Sequence, residues 1–99
     1  MIVNQELKYS ELIEAILATN ILIKENWLVI KKQFNAIYPD FFIAYLKKGI
    51  QLSTTEERYL LLDKIGMNTQ NIADLLQVQP ESVYTMRYRL RKKLNNNIE

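Results

Sequence analysis

Near the C-terminal end of the chain, Tyr84, Thr85 and Tyr88 lie at helical spacing, and the basic side chains Arg89, Arg91, Lys92 and Lys93 follow directly. Hydroxyl groups, rings and methyl surfaces can read base edges in a major groove. Guanidinium and ammonium groups neutralise phosphates, each contact adding about 0.9 to the salt dependence of binding. Together these residue types point to nucleic acid. Taken singly, exposed Tyr and Thr are ordinary surface residues, and a charge run is most often a solvated face. The residues upstream decide between the two, because they designate this same helix for a groove.

In TQNIADLLQVQPESVYTMRYRL, residues 69–90, the small Ala73 stands in mid-helix where two helices can cross closely. Ile72, Leu76, Val78, Val83 and Met86 are spaced to close one shared core. Pro80 suits the first position of a helix, predicted over 80–94. At about 100° per residue, Val83, Leu90, Leu94 and, less centrally, Met86 and Arg87 fall on one side of it. Glu81, Tyr84, Thr85, Tyr88 and Lys92 fall on the other.

A scaffold helix, a tight turn and a second helix with a free outer face are the parts of a helix-turn-helix. On this pattern Tyr84, Thr85 and Tyr88 are the candidate base contacts. Arg89, Arg91, Lys92 and Lys93 are the candidate phosphate contacts, and the helix N-terminus at Asn68 and Thr69 is another. Arg87 lies close to the apolar seam, where a lone guanidinium is costly to bury, so it should have an acidic partner in Glu56 or Glu57. That makes it structural. Met86 and Trp27 likewise read as core.

The rest of the chain supplies helices to carry this pair. Leu7, Leu12, Ile13, Ile16 and Leu17 recur at helical spacing over 4–20, and the apolar stripe runs on through Ile21, Leu22 and Ile23. A second helix over 24–36 carries Trp27, Ile30 and Phe34, and a third over 39–48 opens at Pro39. Ser53 and Glu56 form a capping-box pattern for a fourth, with Tyr59, Leu60, Leu62 and Ile65 apolar and Gly66 as its terminator. Asn68 caps a fifth over 69–76. With 48% apolar residues but only two Gly and two Pro, the chain reads as all-α. It divides into a helical N-terminal segment, residues 1–50, and a helix-turn-helix domain, residues 51–99; the polar tail at 95–99 should be frayed.

Without Cys or His, thiol nucleophiles, imidazole bases and the usual zinc and haem ligands are absent, so no catalytic residue, metal site or cofactor is expected. The net charge of +2 is modest, but its distribution is uneven: residues 80–94 carry five basic side chains against the single acid Glu81. Residues 1–79 carry eight basic side chains against nine acids. Such asymmetry suits a nucleic-acid face on a neutral helical body. Residues 13–23 are too short an apolar stretch to span a bilayer, and no secretory signal is evident. A cytoplasmic location follows from the function so read.

Residues 52–94, LSTTEERYLLLDKIGMNTQNIADLLQVQPESVYTMRYRLRKKL, resemble the LuxR-type (NarL and GerE) DNA-binding domain of bacterial transcription regulators. Leu52, Ser53 and Glu56 match the family's opening, Gly66 and Asn68 its first turn, and Ile72, Ala73, Leu76, Val78, Ser82, Val83, Arg89, Lys93 and Leu94 the remainder. The resemblance implies double-stranded DNA as partner, with Tyr84, Thr85 and Tyr88 at recognition-helix positions and Ser82 and Lys92 near the backbone. Gln77 stands where the family usually has Gly, and Tyr84 where a Lys is common. The family's last, dimerising helix has no counterpart, since only NNNIE follows Leu94. The N-terminal helices, residues 4–23, would then either pair two chains as a homodimer or connect to an upstream sensor. Two other readings compete: a promoter reader like region four of a sigma factor, and a protein-interaction module whose helix-turn-helix no longer binds DNA.

Overall fold

The computed structural model describes residues 2–96 and the side chains of residues 6–95. Among these residues every regular element is a helix: α1 (Ile2–Ala18), α2 (Lys24–Ile37), α3 (Phe41–Lys47), α4 (Thr54–Lys64), α5 (Thr69–Leu76) and α6 (Pro80–Asn96). None of them is long and apolar enough to cross a membrane. They fall into two compact units, residues 1–41 and 42–99. The division comes earlier than the 50/51 boundary expected from sequence, because Phe42 and Ile50 are buried and Tyr45 of α3 lies within electrostatic reach of Asp63 and Tyr59 on α4.

In the first unit, α1 and α2 pack together. Leu12 and Ile16 on α1, one turn apart, are fully buried, as are Ile30 and Phe34 on α2, with Trp27 nearly so. The sequence stripe does not continue as helix to residue 23. Thr19 donates both its N–H and its hydroxyl to the Ala15 carbonyl, and Asn20 takes the Leu22 N–H on its side-chain oxygen. The Thr19 hydroxyl and Asn20 side-chain bonds compete with helix continuation and turn the chain after Ala18; beyond the turn Ile21 is buried, while Leu17 within α1 is 67% exposed. Leu7 is also exposed. The third helix likewise starts later than expected, since Pro39 sits inside a turn closed by Phe41 N–H on the Tyr38 carbonyl.

In the second unit the helix ends follow a repeated chemistry. Gly49, with φ 76°, sends its N–H to Leu46, and Ile50 sends its own to Tyr45. Gly66, with φ 94°, does the same with Asp63, and Met67 with Leu62. These paired bonds on a left-handed residue are Schellman caps, which satisfy the last carbonyls of a helix. The α5 terminus repeats them, Gln77 N–H to Asp74 and Val78 N–H to Ala73, but its left-handed residue is Gln77, at φ 58°.

The starts are equally well defined. Ser53 Oγ accepts from Glu56 N–H and Glu56 Oε1 from Ser53 N–H, a complete capping box; Asn68 Oδ1 accepts from Asn71 N–H. Tyr59, Leu60, Leu61 and Leu62 are all buried, so α4 is surrounded on more than one face. It packs against α5 and α6, and α5 against α6. Ala73, 1% exposed, lies in this core with Ile72, Leu76, Val83 and Leu90, while Val78 and Met86 are only half-buried.

Candidate nucleic-acid interface

Pro80 opens α6 where its missing N–H is not needed, and Ser82 N–H returns to the Gln79 carbonyl. From there the helix is divided lengthwise. Val83 and Leu90 are buried, and Met86, Arg87, Lys93 and Leu94 are half-buried. Ser82, Tyr84, Thr85, Tyr88, Arg89, Arg91 and Lys92 are exposed. The structure therefore puts all three candidate base contacts and most of the candidate phosphate contacts on the free surface of one helix.

Their local chemistry differs. Thr85 Oγ1 donates to the Glu81 carbonyl at 3.0 Å, so its methyl and its oxygen lone pairs remain for a partner. Tyr88 has Lys92 Nζ at 5.6 Å from its ring centroid, a cation–π contact one turn apart on the same helix. Tyr84 has Arg87 Cζ at 5.6 Å. Among the described residues Arg89, Arg91 and Lys92 have no carboxylate partner, so their charge faces outward.

Two candidate phosphate contacts have partners within the unit. Lys93 Nζ lies 3.0 Å from Glu56 Oε2, across the joint between α6 and α4. Burial is the largest single influence on the Glu56 carboxyl and pushes its pKa up, but the Ser53 hydrogen bonds and the Lys93 ammonium together outweigh it and hold the group below its ordinary value. Thr69 accepts from Arg87 Nη2 at 3.3 Å. Asn68 remains exposed, with its side-chain oxygen committed to the α5 cap.

Arg87 has an acidic neighbour, but it is Asp63, at 3.9 Å, rather than Glu56 or Glu57. Its closer bond runs from Nε to Tyr59 Oη at 2.8 Å. That bond is the largest influence on the guanidinium pKa; burial opposes it, and the net shift is upward. Glu56 is instead taken up by its own cap and by Lys93. Tyr59 and Asp63 are one turn apart on α4, a spacing visible in the sequence, but Tyr59 belongs equally to the apolar stripe.

A shallow groove of about 460 Å³, which no sequence pattern marks, lies where the start of α4 meets α6. Ser53 and Thr55 on one wall and Ser82, Thr85 and Arg89 on the other line it, with the carboxylates of Glu56 and Glu81. Such a mixture of donors and acceptors suits a polar partner lying along α6. The chain matches no family model, and no curated protein or solved structure is significantly similar to it.

Proposed function

We propose that the second unit is a helix-turn-helix module of LuxR type that binds double-stranded DNA in a sequence-specific way, as part of a bacterial, cytoplasmic transcription regulator. It places α6 in the major groove and needs no cofactor or catalysis. One observation carries the reading: Val83 and Leu90 hold α6 against its neighbours while Tyr84, Thr85 and Tyr88 stand outward beside Arg89, Arg91 and Lys92, which have no carboxylate partner among the described residues. A rigid helix with hydrogen-bonding and apolar groups on its free face, flanked by cations, has the physical requirements for base readout with phosphate anchoring. Thr85 contributes a methyl suited to the thymine C5 methyl; Tyr84 and Tyr88 contribute rings and hydroxyls.

Selection of bound sequences from a random duplex pool tests the proposal. Enrichment of a motif, with affinity falling steeply as salt rises, is the expected result. An unenriched pool together with salt-insensitive association with a protein would support the interaction module instead. Enrichment only in the presence of RNA polymerase would support the sigma-like reading.

A further inference from the structure

With one planar group, Arg87 reaches from α6 to both preceding helices. Nε donates to Tyr59 Oη at 2.8 Å and Nη2 to Thr69 Oγ1 at 3.3 Å, with Asp63 Oδ1 3.9 Å away. Tyr59 is only 2% exposed, so this end of the contact is anchored in the core. The guanidinium carbon lies 5.7 Å from the Tyr59 ring centroid and 5.6 Å from that of Tyr84. Tyr84 itself is 59% exposed. An outward-facing ring is therefore backed by a group whose place is set by α4 and α5. A guanidinium fork is rigid, so bonds at two of its nitrogens fix its plane, and an aromatic face lies favourably against it. Tyr88 lacks such a tie: its cation is Lys92, on a flexible stem of the same helix.

We propose that Arg87 is a positioning residue for base selection, holding the Tyr84 ring in one orientation relative to α4 and α5 without touching DNA itself. The inference rests on the reading of α6 as the groove helix. A held ring fits one arrangement of base edges and penalises others, whereas a free ring must be ordered on binding and accommodates several. Loss of Arg87 relaxes discrimination at the base step beneath Tyr84, by about tenfold, the scale of one good base contact. Affinity for arbitrary duplexes changes little, because no phosphate contact is lost.

The test compares Arg87→Lys, which keeps the charge but not the fork, with Tyr59→Phe, a milder change that removes only the acceptor of Nε. In the free protein, the NMR signals of the Tyr84 ring protons should move toward those of an unrestrained tyrosine in both variants. In duplex selection, both should broaden the preference at one step and leave the salt slope unchanged, and Arg87→Lys should add nothing in a Tyr84→Ala background. Unmoved Tyr84 signals, or a preference that still changes in that background, would overturn the proposal. So would Arg87→Met losing about 0.9 of salt slope with its preference intact, since that marks a phosphate contact. If the unmodified protein enriches no sequence, the groove reading falls and the proposal with it; if it enriches a motif that Arg87→Lys and Tyr59→Phe leave intact, only the proposal falls.

Discussion

Lys93 Nζ lies 3.0 Å from Oε2 and 3.3 Å from Oε1 of Glu56, and the same Oε1 accepts from Ser53 N–H at 2.9 Å. One carboxylate thus closes the α4 capping box and ties α6 to it. Its pKa is held below the ordinary 4.5, so its charge stabilises the fold fully above that value, and the contribution is lost as pH falls through the lower, folded value. Glu56→Gln keeps an acceptor for the cap but loses the charge, and should destabilise by about 0.5–1 kcal/mol at pH 7, the scale of a partly exposed ion pair. Urea denaturation at pH 7 and pH 3 checks this. The difference between the two proteins should be smaller at pH 3 than at pH 7, and a constant difference would exclude the linkage.

Gln77 does the work that Gly49 and Gly66 do at the two preceding helix ends, at φ 58°. A side chain in left-handed backbone costs about 1–2 kcal/mol, and glycine gives back about 0.4–1 kcal/mol through the greater freedom of the unfolded chain. Gln77→Gly should therefore stabilise the unit by about 0.5–1 kcal/mol, seen as a higher urea midpoint at unchanged slope. Gln77→Val should be destabilising, since a β-branched residue tolerates this conformation least. A Gly variant no more stable than the parent would show that the strain of the left-handed Gln does not exceed the roughly 0.4–1 kcal/mol that glycine loses through the unfolded chain.

The helix ends of the second unit were readable in the sequence because local chemistry sets them: Ser53 with Glu56, Asn68, Gly66 and Pro80 each act within a few residues. The division of α6 into buried and exposed faces was readable for the same reason, since a helical period is a local property. Long-range pairing was not. Arg87 meets Tyr59 across 28 positions and Thr69 across 18, and the charge pattern pointed to Glu56 or Glu57 rather than to Tyr59 and Asp63. The groove at Ser53 and Thr55 was hidden likewise, because the Ser53 hydroxyl, already explained by capping, gives no sign of what lies opposite. In the first unit, Thr19 and Asn20 ended α1 where the apolar pattern alone would have carried it on. The left-handed turn at Gln77 was masked by a residue type that does not announce it.

The outward cations and the paired one should behave differently on DNA. Replacing Arg89 and Lys92 by Ala should lower affinity for all duplexes alike and reduce the salt slope by roughly 1.8, two phosphate contacts at about 0.9 each. Lys93→Ala should change the slope far less, because its ammonium is held by Glu56, and should instead lower stability by up to about 1 kcal/mol. Binding isotherms at several salt concentrations separate the two. Equal slopes for Arg89→Ala/Lys92→Ala and the parent would remove the phosphate role of that face.

We propose that two chains pair through α1, and because α1 packs on α2, truncation cannot separate pairing from folding. Deleting residues up to 23 would remove the helix that α2, with its buried Trp27, Ile30 and Phe34, packs against, so a change in mass could reflect unfolding. Leu7 and Leu17 avoid this difficulty, being 57% and 67% exposed. Exposed leucines contribute little to the fold of one chain, while a charge introduced at a buried interface is expensive. Leu7→Glu/Leu17→Glu should therefore leave the thermal midpoint of a monomer nearly unchanged and weaken a dimer by at least tenfold. Sedimentation velocity over a range of concentrations measures it. A dimer that persists in the variant, or a parent chain that is monomeric throughout, places the contact between copies elsewhere than α1 or removes it.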